Sequence, residues 1–525
     1  MKKILTIVLS SLMCLSLVAC GTDDSSSTTT TEPTETEETT TVSTDDIFDV
    51  VLTTAPVGFD PIVTNDSASA YINTQIYETL YRRTMDGLSY EPLLAESLPE
   101  CNEEGTVCTI KLKEGITFSN GEEFNAETVK YTIDKIKDPE TGSGRASIVA
   151  SIEEAVVIDD TTLELHLSYP DGVLVAKFAH SNSAIVAPIA YESQDFMTDP
   201  IGTGPYVLVS SISGSEIVLA SNENYWGGTP EVTNAKFTVI TDPSTALARL
   251  ETGEADFIAT VPETSVSRVE NISGYTTVTK PSSAIVYLAF RNNSSVNPIM
   301  AEENLRIAII ESLDMDAYVE SVLGGLGSHS QSILGPTVFG YTDDQESHGY
   351  TYDLEDAKKL IEDGGYADEE INFLINNRST TVALAEFMQA SLTAAGLTNV
   401  NIIEEEWATF LSDTKIDNYW DMTILTWSNL TGDGTEFLEP NVSSSSSRMR
   451  YENDEFDELV AAGKMTLDTD ERLENLEAAN NMCVDDAVVS NLYNSYQVYT
   501  YNNQYGNIAL DAGGEFYLNQ ITINK

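Results

Sequence analysis

Apolar positions along this chain switch between a period near 3.6 and a period of 2, and the order of the switches defines its class. Asn125 opens a segment whose Val129, Ile133 and Ile136 fall on one helical face. Asp242-Pro243 opens a second helix that carries Leu247 and Leu250 and stops at Gly253. Asp353 caps a third through Leu360, ending near Gly364-Gly365. There follow a strand from Ile371 to Ile375, a helix from Thr381 to Ala395 closed by Gly396, and a strand from Val400 to Ile403. A helix from Trp407 to Asp413 and a strand from Met422 to Thr426 complete the run. This rhythm predicts an α/β protein, a parallel or mixed sheet covered by helices.

The longest apolar run is of another kind. Ile4 to Ala19 follows Lys2 and Lys3 and closes on Leu17-Val18-Ala19-Cys20-Gly21, an ending that resembles the lipobox of bacterial lipoproteins. The resemblance implies cleavage of residues 1–19 and lipid on Cys20, so that the run is a processing signal and not a membrane span. Two or three acyl chains would make the attachment essentially permanent. Residues 22–44 are mostly Ser and Thr with acidic residues between them and show no apolar periodicity. Residues 20–46 therefore read as the lipidated cysteine and a disordered tether. No later run of eighteen apolar residues recurs.

Charge removes one class of partner. With 26 basic and 84 acidic residues the formal net charge is −58, and no basic stripe with interleaved aromatics exists to meet a phosphate backbone, so no nucleic acid is expected. A chain of 525 residues also exceeds what one hydrophobic core organises, which calls for at least two lobes.

In open α/β sheets ligands sit beyond the carboxyl ends of strands. Two such loops stand out: Asn376-Asn377-Arg378, and Trp427-Ser428-Asn429-Leu430-Thr431-Gly432-Asp433. Asn377, Arg378, Trp427, Ser428, Asn429 and Asp433 are thus candidate ligand contacts. The competing reading makes Trp427 a core residue and Asp433-Gly434 a turn. Cys101 and Cys108 flank the turn Asn102-Glu103-Glu104-Gly105 and could face each other across a hairpin as a disulfide, although spacing alone does not fix that geometry. Cys483 reads as a small buried apolar side chain.

The order of short motifs then becomes informative. Tyr90-Glu91-Pro92-Leu93-Leu94-Ala95-Glu96-Ser97-Leu98 and Ile110-Lys111-Leu112-Lys113-Glu114-Gly115-Ile116 are followed by Gly202-Thr203-Gly204-Pro205-Tyr206, Asn224-Tyr225-Trp226-Gly227-Gly228 and Leu250-Glu251-Thr252-Gly253-Glu254-Ala255-Asp256. Leu305-Arg306-Ile307-Ala308-Ile309, Tyr352-Asp353-Leu354-Glu355-Asp356-Ala357 and Glu406-Trp407-Ala408-Thr409-Phe410 continue the series. Together they resemble the family-5 extracellular solute-binding proteins, the oligopeptide, dipeptide and nickel receptors of ABC importers, over about residues 47–505.

The resemblance implies a two-lobed clamp like the periplasmic binding proteins, of type II with an extra subdomain. Lobe I would span 47–283 and lobe II 284–494, with 495–525 returning to lobe I. The crossings should lie near Ser283 to Phe290 and near Tyr493 to Tyr501, where Ile285 to Phe290 and Tyr496 to Tyr499 read as strands. It implies a monomer on the outer face of the cytoplasmic membrane that captures a small polar ligand, a peptide before others, and delivers it to permease subunits of an ABC importer. A nickel chelate or oligosaccharide, and a sensory or adhesive lipoprotein without transport, are the alternatives. The peptide-binding members place an aspartate three residues after the tryptophan matching Trp427, where it pairs with the ligand's α-amino group, and here that residue is Leu430. Arg448 and Arg450 either hold a ligand carboxylate or are surface charges, and Asn65 and Asp66 align with a ligand-facing loop of the first lobe.

No enzyme is expected. His166, His180, His329 and His348 keep no zinc-ligand spacing, no Gly-x-Ser-x-Gly elbow exists, and Gly324-Gly325-Leu326-Gly327 lacks the spacing of a phosphate loop. No catalytic residue, resident metal or cofactor is assigned.

Overall fold

The computed structural model describes residues 47–193, 195–292 and 298–524. The signal segment 1–19, Cys20 and the tether to residue 46 lie outside the described residues.

Local chemistry sets the helices. Asn125 accepts from the Thr128 amide and Thr128 answers with its hydroxyl, a capping box that starts helix Ala126–Lys137. Asp242 caps Pro243–Thr252, with proline at the first helical position, where its missing N–H costs nothing. That helix ends at Gly253, whose φ of 76° favours a residue without Cβ. Asp353 caps Leu354–Gly364, and helix Ser379–Ala395 begins two residues earlier than its apolar pattern indicates.

Two long strands carry the architecture. Tyr275–Phe290 and Val489–Asn502 pair antiparallel along most of their length. Their pairing slips between Pro281↔Tyr496 and Ile285↔Asn494, an irregularity that lets the sheet bend where the chain passes from one core to the next. On one side they join Phe48–Leu52, Asn234–Val239 and Phe257–Ile258; on the other they join Met422–Ser428, Ile371–Asn376 and Val400–Glu405. A separate antiparallel sheet holds Glu100–Cys101, Val107–Lys111, Thr162–Leu167 and Ile152–Asp159. There Cys101 pairs directly with Cys108, and their sulfurs are bonded at 1.97 Å. Cys483 is free and buried.

The cores follow from side-chain alternation. Val286, Leu288 and Phe290 enter one cluster with Phe373, Ile375 and Met422, while Ile285, Tyr287 and Ala289 enter another with Leu374, Trp420 and Phe437. The sheet is therefore buried on both faces, which is why its strands read as unbroken apolar runs. A different core gathers residues from Phe48 to Ala259 and regains the chain from Tyr499 to Ile521. The molecule is thus an α/β clamp of two lobes.

Candidate functional site

The seam between the lobes holds a set of adjoining cavities. The largest, about 460 Å³, has Arg145, Ile148, Tyr169 and Lys177 on the first-lobe side and Trp427, Thr435, Glu436 and Lys464 on the other. A second, about 160 Å³, is lined by Asn65, Asp66, Asn73, Arg145, His180 and Glu515, and its second-lobe wall is Leu430. A third of about 20 Å³, room for a water, lies between Arg83, His180, Thr431, Asp511 and Glu515. His180 borders all three.

Each wall is fixed by its own network. Asp66 caps helix Ser67–Ile76 by accepting from the Ser69 amide through Oδ1 at 2.9 Å, and its Oδ2 is buried without a partner. Two turns along, Asn73 Nδ2 donates to Thr64 Oγ1 at 3.1 Å and its Oδ1 is also unpartnered. Gln75, fully buried on the same helix, donates to the Phe516 carbonyl at 2.8 Å and accepts from the Leu518 amide at 2.9 Å. These bonds dock the C-terminal tail on the helix and bring Glu515 to the cavity. The turn before it is tied by the Glu515 amide donating to Asp511 Oδ1 at 2.9 Å, with Gly514 at a φ of 93° that suits glycine.

His180 starts a short turn. Its Nδ1 accepts from the Asn182 amide at 3.1 Å, which leaves the proton on Nε2, and that atom is buried with no partner. Asn182 Nδ2 donates to the carbonyls of Pro61 at 2.7 Å and Thr64 at 2.5 Å, so the His180 loop is locked to the segment before Asp66. Burial, and then the Arg145 charge, push the imidazole down to about 3, so the ring stays neutral at physiological pH. Burial, and next the neighbouring Asp511, push the Glu515 carboxyl up, against hydrogen bonds from Ser181 and Tyr517 and the Arg83 charge.

The lobes meet directly. Arg145 Nη1 lies 2.9 Å from Glu436 Oε1, while its Nε donates to Asn65 Oδ1 at 3.2 Å. Tyr90 donates its hydroxyl proton to the Thr431 carbonyl, and Arg83 Nη2 donates to the Thr337 carbonyl at 2.6 Å. Arg83 packs against Gly432, where a Cβ would come within 2.4 Å of the guanidinium carbon and push it aside. The φ of 75° at Gly432 also suits glycine.

The residues singled out from sequence divide. Asn65, Asp66 and Trp427 line the cavities described, as does Leu430. Trp427 and Ser428 are not in a loop: strand Met422–Ser428 runs past Thr426 because Thr426, Trp427 and Ser428 keep pairing with Val286, Ile285 and Ala284. Trp427 packs edge-on against Phe437, and its indole N–H is buried without a partner. Asn429 and Asp433 face inward. Asn429 accepts from the Gly432 amide at 2.8 Å and donates to the Asp433 carbonyl at 2.8 Å. Asp433 is 2% exposed, pairs with Arg472 and accepts from the Thr435 amide at 3.0 Å and hydroxyl at 2.6 Å, so its carboxylate does not replace an acid at position 430. Asn377 donates its amide to the Glu405 carbonyl at 2.8 Å, and Arg378 stacks on Trp407 at 4.4 Å. Arg448 donates to Asn441 Oδ1 and lies 5.6 Å from the Trp427 ring centroid, whereas Arg450 pairs with Asp417 at 2.8 Å. Ser428, Asn377, Arg378, Asn429, Asp433, Arg448 and Arg450 line none of the three cavities.

Sequence reasoning passed over His180, Arg145, Glu436, Asn73 and Glu515. One signal was available: His180-Ser181-Asn182-Ser183 is a polar island between Phe178 and the apolar Ala184-Ile185-Val186-Ala187.

Two lobes joined by crossing strands, with polar groups left unpaired in the seam, define a solute-binding clamp. Residues 89–448 match the model for the bacterial extracellular solute-binding proteins, family 5 (middle region), and the chain belongs to that family. Its members are substrate-binding components of ABC importers, not enzymes. The chain is similar to heme-binding protein A of Haemophilus influenzae, 26% identical over 80% of this chain and 81% of the relative. It is equally similar, at 26% over 81% of this chain and 84% of the relative, to the glutathione-binding protein GsiB of Escherichia coli strain K12. The structure of HbpA2 from Haemophilus parasuis superposes with a TM-score of 0.81 at 20% identity, covering 91% of this chain and all of that one (100%). Among the described residues no helix is long and apolar enough to cross a membrane.

Proposed function

We propose that this protein is a receptor that captures a short peptide in the seam between its lobes and hands it to the permease of an ABC importer. The observation that carries this reading is the seam itself: adjoining cavities bounded by both lobes, with His180 Nε2, Asn73 Oδ1, Asp66 Oδ2 and Trp427 Nε1 buried and unpaired around them. An unpaired buried polar group costs about 1 to 3 kcal/mol, and a polar ligand is one way to recover it. A ligand touching both lobes favours the closed arrangement by the contacts it makes only there.

The glutathione-binding relative supports a peptide, since glutathione is a tripeptide with a free amine and two carboxylates. In this reading Trp427, Asp66 and Asn65 contact the ligand, and the division at 283/284 and 494/495 falls on the irregular pairing around Pro281, Ile285 and Asn494. Cys20 carries lipid and the clamp works as a monomer tethered to the outer face of the cytoplasmic membrane. The test is mass spectrometry of small molecules released by denaturing the purified protein, followed by calorimetric titration of what is found. Peptides released intact and taken up less by a deletion strain support the reading. A released compound that is not a peptide, or one returned chemically changed, overturns it.

A further inference from the structure

The 160 Å³ cavity behind Leu430 has a chemistry of its own. A water needs about 10 to 15 Å³ of such space, so this one has room for a head group the size of an amino acid. Its unpaired groups are unevenly divided. Asn73 is 4% exposed and presents a bare carbonyl oxygen and Asp66 a bare carboxylate oxygen, and beside them Glu515 adds a second carboxyl group, one already hydrogen-bonded to Ser181 and Tyr517. Against these acceptors stands one unpaired donor, the Nε2–H of His180, which is 6% exposed. Arg145 also lines the space, but its guanidinium already serves Asn65 and Glu436. Such a cavity asks for N–H donors and positive charge, with one acceptor beside them.

We infer that this cavity is a subsite for an ammonium-bearing head group, whose N–H bonds are accepted by Asn73 Oδ1, Asp66 Oδ2 and Glu515 while His180 Nε2–H donates to an adjacent carbonyl or carboxylate oxygen. The assignment rests on reading the seam as the ligand site. It accounts for Leu430. With a leucine on the second-lobe wall, the acid that meets a ligand amine comes from the first lobe and from the tail that Gln75 docks there. The leucine then covers the charge pair and keeps water from it, which strengthens each interaction beneath it.

The experiment uses the full chain. Small molecules released by denaturation are treated with an amine-tagging reagent and weighed, and protein freed of ligand and refolded is titrated with a pool of tripeptides and with the same pool N-acetylated. The released compound should take up a tag, and the free-amine pool should bind about ten- to a hundred-fold tighter than the acetylated one. Glu515→Gln and Asn73→Leu should each narrow that ratio, and a ratio, unlike an affinity, does not depend on how much protein has folded. An amine-bearing non-peptide, with no binding of either pool, would discard the peptide reading and keep the subsite. A released peptide that takes up no tag, or pools that bind equally, would discard the subsite and leave the peptide receptor. Protein that releases no amine and binds neither pool would discard both.

Discussion

Arg145 of the first lobe and Glu436 of the second form an ion pair of 2.9 Å across the seam, with side chains only 24% and 12% exposed. Glu436 is itself held in place, accepting from the Thr431 amide at 2.8 Å and hydroxyl at 2.5 Å. The pair exists only when the lobes are together, so it acts on the open–closed equilibrium and through it on ligand affinity. At about 1 kcal/mol for a partly buried pair, Glu436→Gln should weaken binding by about five-fold and enlarge the scattering radius of the ligand-free protein. Added salt should shrink the difference between variant and wild type. Equal affinity and equal dimensions would mean that the pair is indifferent to closure.

Trp427 offers a second measurement. Its backbone is held by pairing with Ile285, so Trp427→Ala removes the indole from the 460 Å³ cavity without releasing the strand. Loss of a buried aromatic anchor should weaken binding of the co-purified ligand by about 1 to 3 kcal/mol. Unchanged affinity in calorimetry would take Trp427 out of the site while leaving the clamp intact.

Asp433 should behave in the opposite way. It and Arg472 are 2% and 8% exposed and pair inside the second lobe, where Arg472 Nε also donates to the Gly463 carbonyl at 2.8 Å. Asp433→Ala leaves a buried guanidinium without its partner, a loss of about 3 to 5 kcal/mol in urea unfolding. Affinity per folded molecule should not change. A variant as stable as wild type that no longer binds would place the carboxylate in the ligand path.

These contrasts show what the sequence could disclose. The caps Asn125, Asp242 and Asp353 and the stops Gly253, Gly365 and Gly396 act within a few residues of themselves, so their helices were legible to within a residue or two. The end of strand Met422–Ser428 depends on pairing with Ala284–Val286, more than a hundred residues away, so the local pattern, which stops at Thr426, does not show it. The site shows the same division. Asp66 stands at a helix start that its own residue type favours. Glu515 reaches the seam only because Gln75 binds the tail at Phe516, a separation of 441 residues, and His180 only because Asn182 is tied to Thr64 across 118. Nothing local announces either contact. Asp433 is the converse case: its carboxylate stands in the loop after the strand but is turned inward by Arg472, on helix Thr469–Asp485, about forty residues on.

The disulfide allows a prediction independent of any ligand. Cys101 and Cys108, seven apart in sequence, close a short hairpin at the edge of the four-stranded sheet. Removing the constraint on so small a loop should cost about 2 to 3 kcal/mol by the chain-entropy relation. Cys101→Ser with Cys108→Ser should therefore unfold at lower urea and become insensitive to reductant. A double variant with the wild-type midpoint would show that the bond does not restrain the unfolded chain.

His180 makes stability depend on pH in a defined window. In the fold it is held down at about 3 by burial and then by Arg145, whereas histidine in an unfolded chain titrates near about 6.5. Between those values the unfolded chain binds a proton that the folded chain refuses. Stability is then fully present above the upper value and falls with falling pH, by up to about 1.4 kcal/mol for each unit. His180→Asn keeps an acceptor for the Asn182 amide and removes the titration. Unfolding free energies measured by urea from pH 4.5 to 7 should fall less steeply for the variant, by the uptake of about one proton on unfolding. The carboxylates that also titrate in this range are common to both proteins and cancel in the comparison. Parallel curves would mean that the folded imidazole titrates like a free one, and the neutral Nε2–H donor at the junction of the three cavities would be lost with it.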